Sequence, residues 1–430
     1  MDVFLHRIFK GDRIIWMVMA GLCCISLIEV FSALGADSFR AGSHFMPIIK
    51  HGVILLAGVV MTIALHNFDY KKTLWILYPM LLASVILLIL TLITGKDDNE
   101  AQRWLNVFGF QFQPSELAKA TMVLFAAWKL GFARPKGEEA MDKAFWEVLI
   151  LTGIFAALIV TQNMSTALII CVFSYLMMFI AGVSRQKMIR LTIVVAVVGA
   201  VLLVLLISIP KIEGVDRWAT WHHRLTTSSV SVRDPQYAIT DENMQQHYAK
   251  IAISEGLGLG VFPGNSSQRD FLPEAFNDFI YAIIIEDMGW IGLFLVPFLY
   301  IILLIRCAVL ASKCRRPVPT LLMLGPALLI GMQAFINMGV AVGLLPVTGQ
   351  PLPLISKGGT SQLVTCFYFA LILSVSRFNE ALDEQEVLAQ EAAEDAALEA
   401  AAREEALQQM AESHAAQQEM DTEDYASMAE

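Results

Sequence analysis

The sequence predicts an all-α polytopic membrane protein with about ten transmembrane helices and one large extracytoplasmic loop. Three observations carry that expectation. The chain is 430 residues long and 56% hydrophobic, with a mean hydropathy of +0.60, a balance foreign to soluble globular proteins. Its apolar stretches recur at lengths close to the ~20 residues an α-helix needs to cross bilayer hydrocarbon. Its short basic clusters fall in alternate connections between those stretches, as cytoplasmic loops require.

Taken in order, the spans are expected at 14–34, 48–65, 73–94, 114–130, 145–161, 166–183, 191–209, 279–305, 320–345 and 360–375. Arg7/Lys10/Arg13, Lys71/Lys72, Arg134/Lys136/Lys143, Arg185/Lys187/Arg190 and Lys313/Arg315/Arg316 occupy alternate turns. That parity makes residues 1–13 a cytoplasmic N-terminus and places both chain ends in the cytoplasm. No small-residue cleavage site follows Arg13, so the first span reads as a retained helix and not as a signal peptide. The membrane domain is 14–377, with its large outer loop at 211–277 and an amphipathic piece at 247–253 suited to a short interfacial helix. The segment 378–430 is Ala/Glu-rich and without a continuous apolar face. From Glu380 onward it holds sixteen acids against Arg403 alone, a net −15 that leaves +5 on the rest of a chain of net charge −10.

The six cysteines lie in apolar runs or beside basic turns without a CxxC pair, which argues against a disulfide framework or a zinc site. No glycine loop has phosphate-binding spacing, so a cytoplasmic ATP engine is not expected, and nothing suggests nucleic acid.

The chemistry-bearing residues concentrate in the outer connections. Residues 256–289, GLGLGVFPGNSSQRDFLPEAFNDFIYAIIIEDMG, pass from a glycine-rich polar loop into an apolar run carrying Asp278 at its mouth and Glu286 and Asp287 inside. Acids in hydrocarbon are expensive and usually functional. Asp278 reads either as a first-turn acid favoured by the helix dipole or as a catalytic carboxylate. Glu286, eight residues on and about 12 Å deeper at ~1.5 Å per residue, reads as a tie between neighbouring helices. Pro114 suits the start of a helix whose Glu116 and Lys119 share a face, either as a local ion pair or lining a substrate path. Gln162-Asn163-Met164-Ser165-Thr166 reads as a tight outer turn. Ser356-Lys357-Gly358-Gly359-Thr360-Ser361 reads as a turn ending in a Thr/Ser cap, or as a phosphate site through Lys357. His222-His223 reads as loop surface, and Glu29 as an interhelical contact.

The segments RWLNVFGFQFQPSELAKA, GLGLGVFPGNSSQRDFLPEAFNDFIYAIIIEDMG and INMGVAVGLLPVTGQPLPLISKGGTSQ, in this order, resemble the signature segments of the SEDS family of bacterial shape, elongation, division and sporulation proteins. The resemblance runs from Asp12 to about Arg377. It implies a ten-span peptidoglycan glycosyltransferase of the bacterial inner membrane that polymerises lipid II on its outer face. It also implies a class B penicillin-binding protein as partner, together with other division proteins. The family's essential aspartate falls on Asp278, its PSE..K pair on Glu116 and Lys119, and its G.S.Q on Gly264, Ser266 and Gln268. Arg103, Gln268, Glu274, Lys357, Thr360 and Ser361 complete the expected substrate-binding set with that pair. The chain departs from the family with Lys357 in place of Tyr, Asn163 in place of Asp, and Leu257 and Phe262 in place of Gly. The wording LPLIS.GGTS is closer to the division type than to the elongation type, which implies a place at the septum.

In such a reaction the 4-hydroxyl of an acceptor sugar attacks the anomeric carbon of a donor linked to undecaprenyl diphosphate. A placed carboxylate that takes the hydroxyl proton contributes roughly 10²–10⁴-fold. The diphosphate leaving group calls for positive charge, from Arg103, Lys119, Arg217, Arg224 or Lys357, or from a divalent cation such as Mg or Mn. The alternatives are a lipid II flippase or transporter, which would use acids at mid-depth, an elongation-type polymerase, and a non-catalytic scaffold for division partners.

Overall fold

The computed structural model describes residues 9–33, 46–94, 104–107, 110–209, 222, 244–272 and 278–382, with 385, 388–390 and 393 beyond them. It divides into two compact units, Met1–Arg377 and Phe378–Glu430. The described residues of the second unit are helical.

The first unit holds α1 (Arg13–Ala33), α2 (Met46–Leu65), α3 (Thr73–Thr94), α4 (Pro114–Ala133), α5 (Glu138–Val160), α6 (Met164–Ala181) and α7 (Arg185–Ser208). A 13-residue helix α8 (Met244–Gly256) follows, then α9 (Ile280–Lys313) and α10 (Pro317–Ala341). The last helix, α11, is Gly359–Leu382. Each of the ten expected spans therefore corresponds to a long helix. By length and composition eight of them qualify as membrane-crossing outright. The exceptions are α2, whose apolar stretch is shorter, and α4, which carries Glu116, Lys119 and Lys129. Local chemistry sets several ends. Pro114 and Pro317 open α4 and α10 where a missing N–H costs nothing, and Gly182 closes α6 in the left-handed conformation at φ 86°.

The centre of the bundle is α4, α10 and α11. Nearly the whole circumference of α4 is buried, Met122, Val123 and Leu124 completely. Such all-round burial explains how α4 keeps charged residues in an apolar setting. Helix α7 is the opposite case, with only Met188 and Leu206 buried and Val194, Val198, Val201 and Leu203 turned outward. That surface is what lipid would cover.

Two features depart from the sequence-based expectation. Residues 95–113 were expected to be loop, but Leu105–Val107 and Phe110–Phe112 pair as antiparallel strands, with Leu105 opposite Phe112. The signal was present as two short β-prone runs separated by Phe108-Gly109. Helix α9 is also interrupted: Gly289 adopts φ 59°, ψ −137°, so the run from Ile280 to Lys313 is two helices joined at a kink. Helix α8, by contrast, extends the short helix expected at 247–253.

The basic turns gather at one end of the bundle. Lys187 pairs with Asp142, Arg316 reaches Tyr70, and Arg134, Arg315 and Arg316 line a single cavity of about 430 Å³. Arg306 holds Asp12, Nε to Oδ2 2.8 Å, and the Asp12 amide is bound by Ser376 at 3.0 Å.

Candidate active site

The kink at Gly289 is where the outer loop is fastened. The chain leaving α8 lies against α9 backbone to backbone. Val261 N–H donates to Glu286 C=O (2.9 Å), Phe262 N–H to Asp287 C=O (2.9 Å) and Trp290 N–H to Gly258 C=O (3.1 Å). So close an approach demands glycine. A Cβ at Gly256, Gly260 or Gly289 would collide with main-chain atoms of the facing segment. Phe262 takes a left-handed φ of 68° at the position where the family shows Gly.

Glu286 completes the fastening. Fully buried, its carboxylate accepts from Ser266 Oγ (2.6 Å), Ser267 N–H (2.8 Å) and Gln268 N–H (3.3 Å). It ties a loop to a helix, where a helix-to-helix tie was expected. These three bonds and a longer one from Ser267 Oγ (3.4 Å), four in all on one carboxylate, meet the cost of burying its charge. One residue on, Asp287 accepts from Ser32 of α1, and Ser32 Oγ in turn accepts from Gly264 N–H (2.8 Å). Arg269 reaches back to the carbonyls of Ser32 and Gly264. Glu29, a turn before Ser32 on α1, is fully buried, and neither carboxylate oxygen has a hydrogen-bond partner among the described residues. Glu29 lies within electrostatic reach of Asp287 of α9, an interhelical contact as the sequence indicated, made without a hydrogen bond among the described residues.

Asp278 lies in the turn ahead of α9. The helix begins at Ile280 with Phe279 as its cap and has no acid in its first turn. Asp278 therefore lies one residue ahead of the cap and not in the first turn itself. What holds it is α10: Asn337 Nδ2 donates to the Asp278 carbonyl (3.1 Å) and to the Gln350 carbonyl (2.8 Å). Gln350 Nε2 then donates to Thr166 Oγ1 (2.8 Å) in the first turn of α6. The Thr166 N–H is capped by Asn163 Oδ1 at 3.2 Å, within the tight turn that the sequence indicated. A relay of polar groups, buried from Asn337 onward, thus runs Asp278–Asn337–Gln350–Thr166–Asn163.

The other expected site residues are placed as follows. Glu116 and Lys119 form the i,i+3 ion pair at 2.7 Å, with side chains 4% and 0% exposed, inside the bundle at the start of α4. Tyr368 of α11 lies within electrostatic reach of Glu116, and its hydroxyl has no partner among the described residues. Gln268 spends its amide on Glu255 of α8, at 3.2 Å from each carboxylate oxygen. Lys357 is half-buried in the turn before α11 and lies within electrostatic reach of His51. Thr360 and Ser361 sit in the first turn of α11, which starts at Gly359, so neither is the cap itself. That turn is braced by Ser26, which bonds both Ile355 C=O (3.0 Å) and His51 Nε2 (2.9 Å). Arg103, Glu274, Arg217 and Arg224 lie outside the described residues.

Buried polar atoms left without partners among the described residues cluster on the same elements: Asn163 Nδ2, Thr348 Oγ1, Gln350 Oε1, Thr360 Oγ1 and Gln362 Oε1. Orphaned polar groups at this density are costly in a bare protein interior and mark where a polar ligand or water is accommodated. Asn337 and Gln350 were not singled out in the sequence, and Thr166 only as the end of the tight outer turn. The signal for Asn337 was available as a carboxamide in the otherwise apolar stretch AFINMGV. No group of three or more Asp, Glu, His or Cys converges to hold a metal among the described residues.

Comparison with known proteins agrees with this architecture. Residues 12–381 match the family model for FtsW, RodA and SpoVE, described as "Cell cycle protein". The chain is 30% identical over 379 residues to the "Probable peptidoglycan glycosyltransferase FtsW" of Geobacter metallireducens, covering 86% of this chain and 96% of that one. It is 30% identical over 367 residues to the protein of the same name from Bacillus subtilis strain 168, covering 83% and 88%. A solved structure named "Structural coordination of polymerization and crosslinking by a peptidoglycan synthase complex" matches with a TM-score of 0.66 at 25% identity, over 86% of this chain and 98% of that one. The rod shape determining protein RodA of Thermus thermophilus shares the fold, with a TM-score of 0.59 at 24% identity over 85% and 97%. The chain belongs to the FtsW, RodA and SpoVE family of cell cycle proteins.

Proposed function

We propose that the protein is a peptidoglycan glycosyltransferase that polymerises lipid II at the outer face of the bacterial inner membrane during division, with Asp278 as general base. The observation that carries this reading is the placement of Asp278. It sits in a turn ahead of a membrane helix, at the end opposite the basic turns, with its carbonyl held by the buried Asn337. A carboxylate set in a turn and fixed through its own backbone can keep its orientation while facing a wet mouth. There it takes the proton of the acceptor 4-hydroxyl as oxygen attacks the anomeric carbon and the undecaprenyl diphosphate departs. Lys357, in the outer turn ahead of α11, supplies positive charge for the leaving diphosphate. The donors present among the described residues do not form a resident metal site. A divalent cation, where one is used, would draw its ligands mainly from the diphosphate itself, and it would neutralise charge on the leaving group.

Two of the buried acids are committed to contacts within the protein. Glu116 is consumed by Lys119 and Glu286 by the 266–268 loop, so neither is available to carry a charge across the bundle. The relatives named peptidoglycan glycosyltransferase FtsW and the matched synthase complex support both the activity and a class B penicillin-binding protein as partner. The test is polymerisation of lipid II by the purified full-length protein with that partner. Asp278→Asn, of the same size but unable to accept the proton as a carboxylate does, is expected to insert and bind partner normally. Its rate should fall by at least ~10²-fold, the lower end of general-base contributions. Near-normal glycan synthesis by Asp278→Asn would remove the base from this mechanism.

A further inference from the structure

We propose that Asn163 and Gln350 form a subsite for a secondary amide of the substrate. The inference rests on the lipid II polymerase reading above and assigns one contact within it. Both side chains are buried, at 4% and 2% exposure. Both are anchored on Thr166: Asn163 Oδ1 accepts from its amide at 3.2 Å, and Gln350 Nε2 donates to its hydroxyl at 2.8 Å. Each carboxamide thereby uses one half of its hydrogen-bonding capacity on the protein. The halves that remain are complementary, a donor on Asn163 (Nδ2) and an acceptor on Gln350 (Oε1). Neither has a partner among the described residues. A carboxamide offers two donors and two acceptor lone pairs, so an unused donor and an unused acceptor, on side chains held by the same Thr166, are matched in kind to the C=O and N–H of an amide. The turn that carries Gln350 is irregular from residue 346 to 352, so a ligand can enter by lifting a turn and leave the helices in place.

The position of the pair selects the amide. Gln350 shares Asn337 with Asp278, since the same Nδ2 holds both carbonyls, at 2.8 and 3.1 Å. The subsite is therefore one bridging residue from the proposed base. Lipid II offers secondary amides of two kinds: the acetamido groups of its sugars and the amide bonds of its peptide stem. An acetamido group on the ring that presents its hydroxyl to Asp278 is the nearer of these, and the pair is assigned to it. Asn163 Nδ2 donates to the acetyl carbonyl, and Gln350 Oε1 accepts from the N–H.

The experiment is polymerisation kinetics with the full-length protein and its partner on three substrates: lipid II, an analogue in which the sugar acetamido is replaced by an acetyl ester, and an analogue with an ester at the first stem amide. Each ester keeps the carbonyl and removes only the N–H. The wild type is expected to lose about tenfold in kcat/KM on the sugar ester, the scale of one neutral hydrogen bond in a buried site. Gln350→Met, which keeps the length but has no acceptor, should show no such loss, because the contact the ester removes is already gone. Asn163→Asp keeps the helix cap and replaces the donor, so it should lower kcat/KM on lipid II while preserving the tenfold ester penalty. The thermal midpoint of Asn163→Asp in detergent should match wild type, while that of Gln350→Met should be lower by the one bond to Thr166 that it loses, with the protein still folded. A penalty seen with the stem ester instead, and abolished by Gln350→Met, supports the subsite and moves the amide to the peptide. Ester penalties equal in wild type and Gln350→Met for both analogues overturn it, as does a wild type indifferent to both. A wild type that makes no polymer overturns the enzymatic reading, and this inference with it.

Discussion

Residue-level choices in this chain become intelligible once the backbone they serve is known. Phe262 stands where the family shows glycine, a departure visible in the sequence but without a reason there. The structure supplies the consequence: the position needs φ 68°, and the side chain is 64% exposed, so it gains little packing in return. A bulky residue held left-handed costs on the order of 1–3 kcal/mol, while glycine returns ~0.5–1 kcal/mol of that through unfolded-state entropy. Phe262→Gly keeps the N–H bonded to Asp287 C=O and is expected to raise stability by ~1 kcal/mol, read as a higher apparent thermal midpoint in detergent. A lower midpoint would show that the ring makes a contact worth more than the strain. Asp278 and the Glu116–Lys119 pair were legible from residue type and spacing, because acids and i,i+3 pairs in apolar runs announce themselves. The contact between Gln350 and Thr166 was not, since a glutamine in an outer turn and a threonine in a first helical turn are ordinary until a fold brings them together.

At the scale of elements, the long helices were readable because hydrophobic length and basic turns are written directly into the chain. The kink at Gly289 was not, because it depends on what lies opposite, and the β-hairpin left only the faint signal of two short β-prone runs. Three-residue strands carry almost no periodicity, and a glycine in an apolar run looks like any small residue in a membrane helix. Glu286 shows the same limit: its depth suggested a tie between helices, yet its partners come from a loop that sequence distance alone does not bring near. This gives the fastening a direct test. Glu286→Ala removes the acceptor of the Ser267 and Gln268 amides and of the Ser266 hydroxyl, each loss costing about 1–3 kcal/mol where the donor stays buried. Hydrogen exchange at Ser267 and Gln268 should accelerate by at least ~10-fold, while amides in α4 and α10 keep their protection, since local opening is governed by local contacts. Unchanged exchange at those two amides would mean that the glycine contacts at the kink hold the loop without the carboxylate.

The whole molecule separates charge by position along the chain and by end of the bundle, and each separation carries an expectation. The −15 carried from Glu380 onward lies in a segment that cannot build an apolar site, so truncation after Asn379 should leave polymerisation rates within about twofold once insertion is matched. A truncated protein that inserts stably and makes no polymer would give the tail a part in the reaction. The second separation fixes which way the enzyme faces. The turns bearing Arg134, Lys187 and Arg315/Arg316 are drawn together at one end, where Arg134, Arg315 and Arg316 line one cavity and Lys187 meets Asp142. The Asp278 turn, the Asn163 turn and the 346–358 connection are joined by the Asn337 and Gln350 bonds at helix ends of opposite parity. Positive charge is retained on the cytoplasmic side during insertion, so the Asp278 end should face outward, where a flipped lipid-linked sugar presents its hydroxyl. In a background with the six cysteines replaced, Leu344→Cys should react with a membrane-impermeant thiol reagent added to intact spheroplasts. Lys136→Cys should react only after permeabilisation. Leu344 is 81% exposed just past the outer end of α10 and Lys136 is exposed at the basic end, so both thiols can be reached from their own side. The reverse labelling pattern would put Asp278 on the side of the membrane where lipid II is made, not polymerised, and the proposed reaction could not occur there.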